Sequence, residues 1–334
     1  MFRVFALLLL TAAPLFAQTE QKEMKLVLPS GPGAITISLT GDWHIESIRL
    51  YPDGPRPVFF LSDKKTGLEA SYILFFNDTK APTAESCRKA VMEPMRSGLQ
   101  REQHLKLENV EDSTVQTSAG QTLLTTTHFL PTMEGMPIQQ QNEFGFFGDE
   151  KNCAEVHLSK VKYTKVDQPL FDRTLQAFAY DSTYKPQSMD YALVANLFYT
   201  GMHDYKSAAV YFQRALDTAE VPESGPRRWF WFRLMTDQTA MSYGMSGDLK
   251  RSRDINLAAI ARDPDYPLYY YNLACADAES GDASAARTHL QQAFDRRANT
   301  LPGEHMPDPS QDDSILKLKK NKDFWAFVQS LPKN

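Results

Sequence analysis

The sequence predicts two domains: an α+β domain with an antiparallel sheet, then an all-α domain of paired helices. Apolar residues recur with a period of two through much of residues 25–165 and with a helical period from residue 189 onward. The second half also matches itself at an offset of 34 residues. With 334 residues, 42% of them hydrophobic, the chain is long enough to bury two cores of ordinary size.

The charge balance argues against two classes of partner. The chain has 36 basic and 41 acidic residues, a formal net charge of −5, and no long basic block. Neither nucleic acid nor an anionic membrane surface is therefore expected as the main partner.

Residues 1–17 have the pattern of a secretory signal peptide. Arg3 precedes an apolar run from Val4 to Leu10, and small residues lead to Ala17, after which the sequence turns polar. The run is too short to span a membrane. We expect cleavage after Ala17 and a secreted or periplasmic protein; an uncleaved anchor is the alternative.

Residues 18–180 are predicted to form the sheet domain. The predicted strands contain Ile35 to Leu39, Val58 to Leu61, Tyr72 to Phe76, Leu123 to Phe129, Ile138 to Phe147 and Ala154 to Val161. One helix is predicted from Ala84 to Arg96, with Thr83 as its N-cap and Pro94 near its end. A second is predicted from Gln168 to Tyr180.

This order of elements resembles the small extracytoplasmic domains of the PsbP and Mog1 kind. The resemblance rests on element order over roughly 150 residues, which is about the size of one domain. It implies a fold and says little about function.

The chain has three cysteines, and whether they pair depends on the cellular compartment of the protein. An oxidising space permits disulfides, and Cys87 and Cys153 lie in the same predicted domain, so we expect them to pair and Cys275 to stay reduced. The alternative is three unpaired cysteines that act as small hydrophobic residues.

No motif in the sequence predicts an enzyme or a metal site. Ser86 to Lys89 has the S-x-x-K spacing, but Lys65-Thr66-Gly67 precedes it, whereas a K-T-G element follows the serine in penicillin-recognising enzymes. The seven histidines have no paired ligand spacing, although His128 and His157 could be neighbours across strands. Asn77-Asp78-Thr79 is a glycosylation sequon. We expect no catalysis, no cofactor and no metal.

Residues 181–188 are a polar, proline-containing linker, and three similar helix pairs are predicted after it. The 34-residue offset places Ala240 on Ala274, Gly247 on Gly281 and Asp248 on Asp282. That offset is the period of the tetratricopeptide repeat. Residues 189–300 therefore resemble three tetratricopeptide repeats, at 189–222, 233–266 and 267–300; an ordinary helical bundle is the alternative.

Ten residues between the first two repeats include an aromatic run of Trp229, Phe230, Trp231 and Phe232. It either lengthens the next helix and packs against the protein, because such rings bury large areas, or forms a patch that binds a partner.

Residues 301–334 are predicted to cap the array with two short helices. Asp312 or Asp313 is the expected N-cap of the first helix, and Asp323 that of the second.

The tetratricopeptide resemblance implies a binding groove lined by the first helix of each repeat. The groove residues that it implies are Leu193, Leu197, Asp237, Gln238, Met241, Met245, Tyr271, Asn272, Cys275 and Glu279. This set lacks the basic residues that clamp a C-terminal carboxylate. An apolar or basic protein segment fits better, with the methionines adapting to its shape. The groove could instead hold the chain's own N-terminal domain.

These features favour a noncatalytic extracytoplasmic scaffold that binds proteins through a short repeat array. The alternative is a module whose sheet domain binds a lipid or a small apolar molecule. An unrecognised enzyme is a third possibility. The partner and the oligomeric state cannot be read from the sequence.

Overall fold

A computed structural model describes residues 22–29, 31–51, 56–76, 82–101, 107–149, 152–225 and 228–332. The chain divides into two compact units between Pro186 and Gln187, within the predicted linker. We call residues 22–186 the sheet unit and residues 187–332 the helical unit. The predicted signal peptide and the sequon lie outside the described residues, as does Arg227 beside the aromatic run.

The sheet unit contains two antiparallel sheets. Its strands are β1 (Lys22–Val27), β2 (Ala34–Leu39), β3 (Trp43–Tyr51), β4 (Arg56–Asp63), β5 (Glu69–Phe76), β6 (Glu108–Gln116), β7 (Thr122–Met133), β8 (Met136–Gly148), β9 (Asn152–Lys160) and β10 (Ala179–Asp181). The larger sheet has the order β3-β4-β5-β9-β8-β7-β6, and the smaller has the order β1-β2-β10.

Two helices pack on opposite faces of the seven-stranded sheet. The first, α1 (Ala84–Arg101), contacts β7, β8 and β9. The second, α2 (Gln168–Gln176), places Leu175 against Gly145 of β8, while the next strand residue, Phe146, lies in the core beside α1. Adjacent residues of a strand point to opposite faces, so the sheet lies between the two helices. The predicted α+β arrangement is confirmed.

A disulfide joins Cys87 of α1 to Cys153 of β9, as predicted. Both cysteines are fully buried, in a core with Phe75, Phe144 and Phe146. The bond therefore ties the helix to the centre of the sheet.

The ends of both sheet-unit helices differ from the prediction. α1 continues past Arg96 to Arg101, with Pro94 inside it. α2 ends at Gln176 instead of Tyr180, because residues 179–181 pair with β2 and form β10. The tertiary strand pairing determines where this segment stops being helical.

The helical unit begins with three helix pairs. They are α3 (Ser188–Asn196) with α4 (Tyr205–Asp217), α5 (Phe230–Met245) with α6 (Leu249–Arg262), and α7 (Pro267–Glu279) with α8 (Ala283–Asp295). A π-helical turn, Leu197–Gly201, extends α3. Each helix packs on the next in the chain, and α5 also packs on α7. The result is a stack of helix pairs in which first helices adjoin.

The chain ends with two short helices, α9 (Asp313–Leu316) and α10 (Lys322–Ser330), which pack on α7 and α8 respectively. Asp312 caps α9 by accepting from the backbone N–H groups of Ser314 and Ile315, as predicted. The prediction for α10 is wrong. Its N-cap is Asn321, whose side chain accepts from the N–H of Phe324, and Asp323 is already inside the helix.

Candidate functional site

The first helices of the three pairs present a face that is apolar and partly exposed. Tyr199, in the turn after α3, donates a hydrogen bond to the Met245 sulfur at the end of α5 (3.3 Å). Asn272 of α7 donates to Asp237 of α5 (2.8 Å). These contacts join the three helices side by side.

Five of the predicted groove residues lie on the first two helices of this face and are accessible. Leu193 and Met245 are each 41% exposed, and Leu197, Gln238 and Met241 are half-buried. Four of the five are large apolar side chains, and Leu193 with Leu197, like Met241 with Met245, has the spacing of one helical turn. We call these five residues the open face.

At the third helix pair, another part of the chain contacts the predicted groove. Residues 301–317, which we call the tail segment, lie along α7 and contact three predicted groove residues. Tyr271 donates a hydrogen bond to Asp312 (3.3 Å) and is only 3% exposed. The Cys275 sulfur lies 3.8 Å from the same carboxylate, and Glu279 is paired with Lys317. Tyr271 is therefore covered, whereas Cys275 and Glu279 are half-buried, and their part in a binding groove stays a prediction.

Asp237 does not line an open surface either, whereas Asn272 is half-buried. Asp237 is 3% exposed, and its carboxylate accepts the hydrogen bond from Asn272 between α5 and α7. Burial and, to a smaller extent, the nearby Glu304 carboxylate raise the pKa of Asp237 to about 7. This predicted groove carboxylate is a buried group that shares its surroundings with the tail segment.

A second polar cluster fixes the start of α7. Arg233 of α5 donates two hydrogen bonds to Asp263, at 2.6 and 2.8 Å. Tyr266 donates to Glu304 of the tail segment (2.8 Å), and the Arg233 guanidinium lies over the Tyr266 ring. Burial raises the pKa of Glu304.

The aromatic run begins α5 and packs largely inside the helical unit. Trp231 donates its indole N–H to Ser188 at the start of α3 (2.6 Å). Phe232 is buried, with the Arg262 guanidinium over its ring and Trp229 against its edge. Trp229, Phe230 and Trp231 are half-buried. The run joins the first two helix pairs, and a role in partner binding stays a prediction.

A charge cluster around the buried carboxylate of Asp277 in the third pair was not predicted. Asp277 of α7 is paired with Arg253 of α6 and lies 2.5 Å from the His289 ring nitrogen of α8. Asp277 occupies the position where the repeat pattern has tyrosine, and this departure is the one signal that could have pointed to it. The cluster connects three helices.

In the sheet unit, the Phe144 ring stacks between His128 and His157 on one face of the large sheet. The Asn142 side chain bonds His157 (3.1 Å). Burial lowers the pKa of His157 to about 3, and the neighbouring His128 contributes. His157 is therefore neutral at physiological pH. The two histidines are near neighbours on this face, as expected, with the Phe144 ring between them.

Two further kinds of site are absent from the described residues. They contain no group of three or more histidine, cysteine, aspartate or glutamate side chains placed to hold a metal ion. None of the described helices combines the length and the apolar character needed to cross a membrane.

No known protein family and no curated protein matches the sequence. Among solved structures, the tetratricopeptide repeat domain of Sgt2 from Aspergillus fumigatus is similar at 16% identity, with a TM-score of 0.31, over 45% of this chain and 88% of that one. A structure from Bacteroides thetaiotaomicron is similar at 8% identity, with a TM-score of 0.26, over 63% and 78% of the two chains. TM-scores this low do not establish a shared fold.

Proposed function

We propose that this protein is a noncatalytic extracytoplasmic scaffold that holds an apolar segment of a partner protein on the open face. The observation that carries the proposal is the exposure of Leu193 and Met245 on adjoining first helices of a stacked array. Contiguous apolar side chains left accessible on a folded protein are a common mark of a binding surface. The Cys87–Cys153 disulfide is compatible with an oxidising compartment.

The composition of the first helices favours an apolar partner segment over a charged terminus. Across α3, α5 and α7, Arg233 is the single lysine or arginine, and it is bound to Asp263. A partner's terminal carboxylate would find no free cation there. An amphipathic helix could place its apolar stripe along the two pairs of one-turn neighbours, and methionine side chains adapt to such a surface.

Photocrosslinking followed by a charge substitution tests this proposal. A photoreactive amino acid at position 245 of the full chain should capture a partner in extracts of the native cells, whereas one at Leu257 should not. Leu257 is the matched control because it is 47% exposed but lies on α6, a second helix of its pair.

The captured partner is then purified and its affinity measured. Leu193→Glu and Met245→Glu should each weaken binding at least 10-fold, because a charge would be buried in an apolar contact, and such losses are typical of interface centres. Leu257→Glu should bind like the wild type. Equal losses for the three variants, or none, would rule out the open face.

The proposed compartment is tested separately. Cell fractionation with a thiol-trapping agent should place the mature protein outside the cytoplasm with Cys87 and Cys153 oxidised. A cytosolic protein with both thiols free would contradict the localisation while leaving the open face to be judged by its own experiment.

A further inference from the structure

The hairpin formed by β7 and β8 extends beyond the strands on either side of it. β6 pairs with β7 only as far as Phe129, and β9 pairs with β8 only from Gln141 onward. Residues 132–137, which we call the hairpin tip, are all exposed. An ion or molecule in solution can therefore reach the side chains of the hairpin tip.

Two methionines face each other across the turn of this hairpin. Met133 and Met136 are partners in the strand register, and the two residues between them, Glu134 (φ +51°) and Gly135 (φ +77°), both have positive φ. Such two-residue turns place their flanking residues directly opposite each other. The side chains of a directly opposed pair project from the same face, with Cβ atoms about 4.5–5.5 Å apart. The two thioether sulfurs can therefore approach one another.

These two sulfurs are also accessible and available. Met133 is 44% exposed and Met136 is 60% exposed. Neither sulfur accepts a hydrogen bond from any residue that the structure describes, whereas the sulfur of Met245, another exposed methionine, accepts one from Tyr199. The lone pairs of Met133 and Met136 are left for a ligand from solution.

A pair of thioethers selects one class of ligand. Thioether sulfur is a soft, neutral donor, and among the metal ions of cells it favours copper(I), whereas hard cations prefer oxygen. An ion held in line between two sulfurs needs them about 4.6 Å apart, which is twice a metal–sulfur bond of about 2.3 Å. This separation matches the spacing of the two Cβ atoms, so the hairpin backbone need not move. The exposed carboxylate of Glu134 adds a negative charge beside the pair.

We propose that the hairpin tip binds one copper(I) ion between the sulfurs of Met133 and Met136. Thioethers suit an oxidising compartment, because paired thiols form disulfides there, as Cys87 and Cys153 do, whereas two thioethers cannot. The site lies in the sheet unit, so it is independent of partner binding at the open face.

Silver(I), a soft monovalent ion that air does not oxidise, is the probe. It is titrated into the full chain with the disulfide intact and with Cys275→Ser, which removes the free thiol that would compete for a soft ion. The methionine methyl groups carry carbon-13, and the pH is 5.5, where exposed histidines are mostly protonated. The NMR signals of Met133 and Met136 should shift together and reach their final positions at one equivalent of silver.

Three variants make the test specific. Met133→Leu and Met136→Leu each remove one sulfur and keep an apolar side chain of similar size. Each should weaken silver binding at least about 10-fold, because the two ligands act on the ion together. Met189→Leu is the matched control, since Met189 is 49% exposed but lies on α3, and it should bind silver like the parent protein. Competition with a copper(I) chelator in the absence of oxygen should rank the four proteins in the same order.

Three results would overturn the proposal. The first is equal silver affinity in the parent protein, Met133→Leu and Met136→Leu. The second is a shift of the Met189 signal as large as those of Met133 and Met136, which would show nonspecific binding to exposed sulfur. The third is silver binding without copper(I) binding. Thermal denaturation of each variant should give the midpoint of the parent protein, so that a loss of affinity reports on the ligand and not on the fold.

Discussion

At the turn of each helix pair, a residue with positive φ is followed by an aspartate that caps the second helix. Gly247 (φ +90°) and Gly281 (φ +80°) precede Asp248 and Asp282, whose carboxylates accept from backbone N–H groups of α6 and α8. In the first pair the same place is taken by His203 (φ +54°), followed by Asp204. Glycine adopts this conformation without steric cost, whereas histidine does not.

Replacing one of these capping aspartates should lower the free energy of unfolding by a predictable amount. Asp282→Ala leaves the N–H groups of Ser284 and Ala285 without their side-chain acceptor, and we expect the free energy of unfolding to fall by about 1 kcal/mol. Asp282→Asn keeps a side-chain oxygen and is the matched control. Urea denaturation of both variants checks this, and equal losses would show that the charge matters more than the hydrogen bonds.

At the scale of single residues, prediction from the sequence succeeded where the role of a residue depends only on its neighbours in the chain. The turn glycines and the Asp312 cap follow from short patterns. It failed for Tyr271 and Asp237, whose burial depends on a segment more than 30 residues further along the chain, because periodicity within one helix carries no information about what covers it.

Among the elements, four strands were missed: β1, β3, β6 and β10. For β3 and β6 the reason is physical. In β3 the pairing with β4 shifts between Ile45 and Ser47. This bulge changes which residues share a face, so the apolar alternation is interrupted. The edge strand β6 is exposed along most of its length and has no apolar face to produce a pattern. Central strands such as β9 were predicted correctly, because a buried strand requires apolar residues that can be recognised in the sequence.

The disulfide should stabilise the sheet unit and leave the helical unit unaffected. It closes a loop between residues separated by 66 positions, for which the loop-closure entropy predicts about 4 kcal/mol. Hydrogen exchange measured by mass spectrometry, with and without a reductant, should show faster exchange in β8 and β9 after reduction and no change in α7. Cys275→Ser serves as the control for effects of the free thiol.

On the scale of the whole molecule, the last helix, α10, contributes to the stability of the helical unit. Phe324 of α10 is buried, and α10 packs on α8. We expect Phe324→Ala to lower the free energy of unfolding by about 3–5 kcal/mol, since a large core side chain is lost. Gln329→Ala, at an exposed site on the same helix, should change it by less than about 0.5 kcal/mol.

Hydrogen exchange of both units in the same sample completes that experiment. The two units divide at Pro186, so Phe324→Ala should accelerate exchange in α7 and α8 but not in the strands of the sheet unit. Equal acceleration in both would show that the units unfold together.

The tail segment over α7 has a consequence for affinity measurements. A protein that binds the third helix pair in place of the tail segment binds only those molecules in which the tail segment has left α7. Its apparent dissociation constant is the intrinsic value divided by the fraction of such molecules. A binding measurement on the third helix pair would therefore report competition with the tail segment as well as the contacts of the complex.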